Sequence, residues 1–545
     1  MSATARLWRP PAPTPRPPVP SLLRLMWRRE KDLLSLLPDL AYREMITPLG
    51  YTRRGILLVN DPTWASRILT DHDTFPKNDL FVEALEDLVG NSMFVTSGDT
   101  WRRQRKMVDP AFSHMRINRA FEFMAAAVDD YEHRLVAQSA SQETFSLDAA
   151  MSHLTADVIT RTIFSVPLEG QTSHDVFEDF MRFERQVGSI DIKRLLWDKP
   201  WSPHQQPEPV RQACARIRMH LGAMLDARLQ HPEFDDIAGA ILEARDSETG
   251  QPFDRQGLID QLGVFFLAGH ETTASSLTWA FFILSQRPEF AERIRAEVAE
   301  VVGDGPVLLE HTKRLPFVRN FFREVLRLYP PITFLPRVAG KDTVIGDRKV
   351  PRGTMLMIAP WSMHRHVKLW EQPELFDPDR FLPERESKHV PGAYLPFGSG
   401  PRICVGAAFA TIETALIIAR LVRRFDFEAL QPETVRPYAR LTTRPAVEIS
   451  MRVRRRCRET RRRGGTEGKG KGAPSDRRPL LRASQPPCLP PRLLGGDELG
   501  LVLDHVVHEA VHLGVFGAHE TIAIGVTLDL LDRTASVLGH QFVHL

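Results

Sequence analysis

Between Asp254 and Arg287 the sequence reads as one uninterrupted helix whose centre, Leu262 to Ala268, is apolar almost all round. Asp254 suits an N-cap, and Pro288 stops the helix because its ring nitrogen cannot donate to the preceding turn. A surface helix keeps one polar face, so a helix without one has to be covered on every side. The chain has the material to cover it: 545 residues, 43% of them hydrophobic. That length would ordinarily suggest more than one domain. A buried central rod argues instead for one large domain with tails.

The elements expected around it are mostly helices. Apolar spacings of three and four recur through residues 100 to 330, as in Phe121 to Leu135, Met151 to Phe164, Ile217 to Leu229 and Phe290 to Val302. Between Ile332 and Pro360 the period shortens: Val344-Ile345 and Met355 to Ile358 alternate with turns at Gly346, Pro351 and Gly353, which predicts a small sheet. A further helix is expected over Ala407 to Leu421, and a closing strand over Ala446 to Met451. The fold class is therefore mainly α with a small β region.

The ends differ from this body. Seven prolines among residues 10 to 20 exclude the apolar core of a secretory signal, and no apolar run approaches the ~20 residues of a membrane crossing. Leu22 to Leu40, carrying Trp27, fits a short packed amphipathic helix, with peripheral membrane contact as the lesser reading. From Arg452 to Arg482 about 13 Lys and Arg face only Glu459, Glu467 and Asp476, so the formal net charge of +3 hides a mildly acidic body. That balance gives no reason to expect nucleic acid. The Arg-rich, Gly/Lys-rich and Pro-rich sequence beyond is expected to lack fixed structure to about Arg492. The reading divides the chain into an N-terminal segment 1–35, a catalytic body 36–453 and an extension 454–545.

Cys214, Cys404, Cys457 and Cys488 lie far apart without a Cys-x-x-Cys pair, too few for a disulfide framework and consistent with a reducing cytoplasm. Cys404 stands out. Phe397-Gly398-Ser399-Gly400-Pro401-Arg402-Ile403-Cys404-Val405-Gly406 is a glycine-rich loop running into a helix. Its glycines let the backbone approach a flat group and aim amides at the sulfur, and a helix N-terminus favours a thiolate.

This loop resembles the haem-binding signature of the cytochrome P-450 superfamily, and similar motifs of that family recur across roughly Leu36 to Val453. Glu324-Val325-Leu326-Arg327 is similar to its Glu-x-x-Arg motif, and Phe376 to Phe381 to the segment whose arginine, here Arg380, joins the same cluster. Trp101 and Arg105, four apart and so on one helical face, resemble the family's propionate contacts; Arg337 and Arg402 stand where it often has others. Ala268-Gly269-His270-Glu271-Thr272 resembles its oxygen-activation motif. There the resemblance gives Gly269 the task of leaving room for dioxygen and a backbone bulge, Thr272 that of holding a water, and Glu271 that of passing protons.

The resemblance implies a triangular helical domain with haem b between the long central helix and the helix after Cys404, the axial thiolate ligand. Phe397, Gly398 and Gly406 would shape the cofactor pocket. It also implies monooxygenation, RH + O2 + 2 e⁻ + 2 H⁺ → ROH + H2O, in a soluble monomer. A haem-thiolate protein that senses without turnover is the alternative; Glu271 and Thr272 favour turnover. The chain has no Gly-x-Gly-x-x-Gly after a strand and no iron–sulfur cysteine set, so electrons are expected from a separate ferredoxin or flavodoxin. Arg102, Arg103 and Lys106 offer it a basic face. Lys77 to Val95, Phe265, Phe266, Thr333 to Leu335 and Leu441 to Thr443 would line an apolar pocket for a fatty acid, terpenoid or aromatic substrate. A rival signal, His508-Glu509-Ala510-Val511-His512, matches the His-Glu-x-x-His of zinc hydrolases, but Gly514, Gly517 and His519 miss the longer pattern and the tail is too short for a protease.

Overall fold

A computed structural model describes residues 8–17, 32–49, 53–168, 171–187, 201, 205–231 and 233–456. Cys457, Cys488 and the His508–His512 motif lie outside the described residues.

Helices of seven residues or more follow in the order α1 Pro62–Thr70, α2 Asp79–Val89, α3 Gly98–Val108, α4 His114–Ser141, α5 Leu147–Phe164, α6 Gln171–Val187, α7 Glu208–Leu229, α8 Ile237–Glu243, α9 Arg255–Gln286, α10 Pro288–Val301, α11 Pro316–Leu328 and α12 Ala407–Arg424. The expected central helix is α9. Asp254 caps it by accepting from the Gly257 N–H at 2.7 Å, and it runs unbroken to Gln286, with no bulge at Gly269. It packs most extensively on α5, and α2, α7, α10, α11 and α12 cover other sides. Leu258 to Leu284 is accordingly buried, apart from three residues described below.

The strands are β1 Ile46–Pro48, β2 Ile56–Val59, β3 Phe145–Ser146, β4 Leu335–Val338, β5 Thr343–Ile345, β6 Arg348–Val350, β7 Met355–Ile358, β8 Phe425–Ala429, β9 Pro437–Ala439, β10 Thr443–Pro445 and β11 Ser450–Arg455. The main sheet has the order β1-β2-β7-β4, with β2 and β7 parallel and the outer pairs antiparallel. The closing strand departs from expectation. It starts at Ser450 and runs into the arginines, pairing Met451 with Ala429 and Arg455 with Phe425. Met451 and Val453 are buried while the arginines between and after them point outward, so charge on one face hid a period-two strand.

Part of the expected Leu22–Leu40 helix falls outside the described residues; the rest is two 3-10 turns, Leu33–Leu36 and Asp39–Tyr42, parted by Pro38, which has no N–H to continue a helix. The proline-rich residues 8–17 lie on the body: Tyr329 Oη donates to the Pro11 carbonyl at 2.6 Å, and Phe376 N–H to that of Trp8 at 3.0 Å. No helix among the described residues is long and apolar enough to cross a membrane.

Candidate active site

Cys404 sits at the end of a loop that folds back on itself: its N–H donates to the Phe397 carbonyl at 3.0 Å, closing a turn in which Gly398 and Gly400 have φ of 76° and 74°. Only glycine adopts that region at little cost. A Cβ at Gly400 would also stand 2.9 Å from the Leu69 carbonyl of α1. The Gly406 N–H bonds to the sulfur, and a side chain at 406 would lie 3.9 Å from Sγ. The helix end does not lower the thiol as its position suggested. Burial raises it, outweighing the Gly406 amide and Arg105; a thiolate here needs a cation at the sulfur.

Behind the loop lies a clamp. On α11, Arg327 Nε and Nη2 donate to the two Glu324 oxygens at 2.7 and 2.8 Å, and neither side chain has solvent-exposed surface. The remaining Arg327 donors go to the carbonyls of His364 and Pro373 at 2.7 Å and Leu375 at 2.9 Å. Arg380 comes within 3.5 Å of Glu324 and donates to the Glu371 and Gln372 carbonyls. His364, which the sequence did not single out, carries the clamp to the loop. Its Nδ1 meets the Arg327 carbonyl at 3.2 Å and its Nε2 accepts from Leu395 N–H at 3.0 Å, two residues before Phe397. Burial, with Arg327 beside it, holds this imidazole neutral, down to about 3.

Beside the loop, cations gather without counter-charge among the described residues. Arg402 lies 4.2 Å over the Trp101 ring and gives Nη2 to the Thr96 carbonyl at 2.9 Å, but its Nε and Nη1 are buried with no partner among the described residues. Arg337 gives only Nη1 to its neighbour Pro336. Lys77, bridged to Arg337 through the backbone, is the member the sequence reading had placed among substrate contacts. Burial pushes all three down, Arg337 to about 10 and Arg402 to about 9, and Arg402 and Arg337 lower Lys77 further. Cations in that condition bind anions: two carboxylates at the edge of a planar ligand would satisfy the orphaned donors. Arg105 is partly committed elsewhere, to Asp109 at 2.5 Å and the Ile403 carbonyl at 3.0 Å.

On α9, Ala268, Gly269 and Thr272 are the three residues of Leu258–Leu284 that are not buried. Gly269 also has a packing reason. A Cβ there would meet Ile159 Cδ1 at 2.6 Å, so its missing side chain lets α9 approach α5. Thr272 Oγ1 donates to the Ala268 carbonyl at 2.7 Å. Glu271 is clasped by Arg444, whose Nε donates to Oε1 at 2.9 Å and Nη2 to Oε2, and by the Thr442 hydroxyl. Arg444 in turn donates to Asp148 at 2.8 Å and Ser152 at 3.1 Å on α5. Burial would raise the Glu271 carboxyl, but Arg444 outweighs it and holds the group ionised.

Other expectations shift as well. Phe266 packs on Phe180 of α6 with ring centroids 4.7 Å apart, and Phe265 edge-on to Phe112, so both serve the core. Thr443 spends its hydroxyl on the Pro330 carbonyl. The basic face is partly neutralised: Arg102 pairs with Asp99 and Asp73, and Arg103 with Asp246 at 3.6 Å. A buried Glu413 on α12, next to Thr273 on α9, is raised well above the carboxylate range by burial.

Known proteins agree with this arrangement. The family model described as Cytochrome P450 matches residues 13–450. Cyclooctat-9-en-7-ol 5-monooxygenase of Streptomyces melanosporofaciens is 31% identical over 418 residues, 75% of this chain and 88% of that protein. Cyclooctatin synthase of the same organism is 31% identical over 76% of this chain and 89% of its own. Among solved structures, the heme domain of cytochrome P450DA superposes with a TM-score of 0.69 at 24% identity, over 82% of this chain and 98% of that one.

Proposed function

The chain belongs to the cytochrome P450 family and is one of its monooxygenases, and from that premise we propose that it hydroxylates a terpenoid-class substrate, using haem b on Cys404 and two electrons from a separate ferredoxin or flavodoxin. One observation carries the reading. Between Leu258 and Leu284 the open residues of α9 are Ala268, Gly269 and Thr272, the motif residues, while Cys404, set deep enough for burial to raise its thiol, keeps accessible surface in the loop.

Members of the family hold haem through a cysteine thiolate, and when bound it supplies the activation of O2. The residues present fit it. Cys404 offers the sulfur, Gly398 and Gly406 leave the loop narrow, and the orphaned donors of Arg402 and the buried charges of Arg337 and Lys77 suit propionates, with Trp101 under Arg402 and Arg105 tying α3 to the loop. Glu324, Arg327, Arg380 and His364 keep the loop in place from behind. Glu271, ionised beside Arg444, is the group able to take and release protons, and Thr272, the next residue on α9, is open where Glu271 is buried. The relatives named for cyclooctat-9-en-7-ol and cyclooctatin favour the terpenoid class over fatty acids.

A reduced, carbon monoxide-bound spectrum of thiolate type that Cys404→Ser abolishes supports the ligand assignment; an unchanged spectrum in that variant refutes it. Spin-state titration then separates substrates. Cyclic terpenoid alcohols are expected to bind at lower concentration than fatty acids, and the reverse order would overturn the substrate class.

A further inference from the structure

Glu271 does not stand alone on the buried side of α9. His270 Nε2 lies 3.4 Å from Glu184 Oε1 of α6, and neither atom has a hydrogen-bond partner within normal geometry among the described residues. His270 has no exposed surface, and its Nδ1 is engaged by the Phe266 carbonyl at 2.9 Å. The rings of Phe177, Phe180 and Phe266 surround its imidazole. One polar atom from each of Glu184, His270 and Glu271 lies within 4.8 Å of the others, close enough for the two carboxyls to share a proton. Such a trio resembles a cation site, but Arg444 already engages both Glu271 oxygens and supplies the positive charge.

We propose that Glu184 is the proton donor to Glu271, with His270 sharing and replacing its proton, so that this trio forms the outer half of the proton path into the active site. The step conserves atoms and charge: the Glu184 O–H bond breaks as a Glu271 O–H bond forms, and the negative charge moves from Glu271 to Glu184. Proton loss from the His270 imidazolium, or uptake from solvent, then refills Glu184. Protonation also weakens the Arg444 clasp, since a neutral carboxyl accepts less strongly than a carboxylate, and this frees Glu271 to turn toward Thr272. Glu184 keeps 12% of its side-chain surface exposed, against 4% for Glu271 and none for His270, so Glu184 is the member that meets solvent and His270 shares its proton from the buried side.

The charges facing the trio are those of Arg444 and, behind it, Asp148. Burial and the Glu271 charge push Glu184 up to about 7, while Glu184 raises His270 against the opposing effect of burial. One exchangeable proton is thus held near neutrality beside an ionised acid.

The inference rests on the proposed proton role of Glu271, and its test is chosen to fail separately. In the full-length holoprotein, Glu184→Gln should abolish an infrared band of a protonated carboxyl that titrates near pH 7, and leave the reduced carbon monoxide spectrum intact. Product formation should fall about ten-fold, with a larger solvent deuterium effect, more of the electrons lost as hydrogen peroxide, and no inflection near neutrality in the pH profile. Glu184→Asp, which keeps an ionisable group, should restore the inflection; if Glu184→Gln does not accumulate folded, a displaced inflection in Glu184→Asp gives the same answer. A band that survives Glu184→Gln, or pH profiles that coincide with that of the unaltered protein, overturns the proposal. Loss of the thiolate spectrum in the unaltered protein would overturn the haem reading instead.

Discussion

Arg327 and Glu324 form a two-pronged ion pair with no exposed side-chain surface on either residue, and every donor group of the arginine has an acceptor. Truncating one partner would leave the other charge buried and uncompensated, at about 3–5 kcal/mol. Arg327→Lys keeps the charge but loses the fork, which served two carboxylate oxygens and three carbonyls at once. The expected result is a large drop in unfolding free energy for Glu324→Gln and Arg327→Lys alike, with haem uptake lost because the loop behind Cys404 is no longer held. Denaturant unfolding with the carbon monoxide spectrum measures both; a variant with wild-type haem content would contradict this account.

His364 makes stability depend on pH in a defined direction. Its folded-state value is about 3, well below the 6.5 of a free imidazole, because burial and Arg327 disfavour the charged form. Between those values the unfolded chain binds a proton that the folded chain refuses, so the contribution is fully present above pH 6.5 and is lost as the pH falls toward 3. Over that window His364→Gln, whose amide can still donate on one side and accept on the other, should flatten the fall in unfolding free energy by a few kcal/mol. Equal slopes for both proteins would show that other groups carry the acid sensitivity.

Where a local signal set an element, the sequence reading lay within a residue or so of the structure. Asp254 and Pro288 bound α9 because capping and the missing proline N–H act over one turn. β11 was misplaced because its register comes from Phe425–Ala429, a strand whose pairing no local pattern reveals. The site divides in the same way. Cys404, Glu324, Arg327 and Arg380 were legible because they sit in short, spaced motifs, whereas the partner of Glu271 was not. An acid in an apolar helix requires a cation, but nothing near it in sequence says that Arg444, 173 residues away, supplies it. The packing contact of Gly269 was not legible for a related reason: the residue it makes room for, Ile159, is on another helix.

That contact is open to a direct experiment. Gly269→Ala would place Cβ within 2.6 Å of Ile159 Cδ1 and 2.8 Å of Cγ1, and overpacking of this kind costs about 1–3 kcal/mol. If the closeness of α9 to α5 is what requires glycine, Ile159→Ala in the Gly269→Ala background should recover part of the loss, giving a favourable coupling in a double-mutant cycle. Additive losses would mean that Gly269 serves another purpose.

Lys77 tests whether the cation cluster exists to hold an anion. With Arg337 and Arg402 it forms three like charges, each disfavoured by burial and none matched by a carboxylate among the described residues. For the protein without haem such a cluster is a cost, so Lys77→Met should raise its unfolding free energy by relieving the two arginines. With haem the same change removes a counter-charge to the propionates, and haem transfer to an acceptor globin should quicken by about ten-fold, equivalent to ~1.4 kcal/mol. The exposed Lys106→Met on α3 is the control and should move neither quantity. Opposite signs for the two effects of Lys77→Met separate a binding role from a structural one, because a lysine that only supported the fold would weaken both states together.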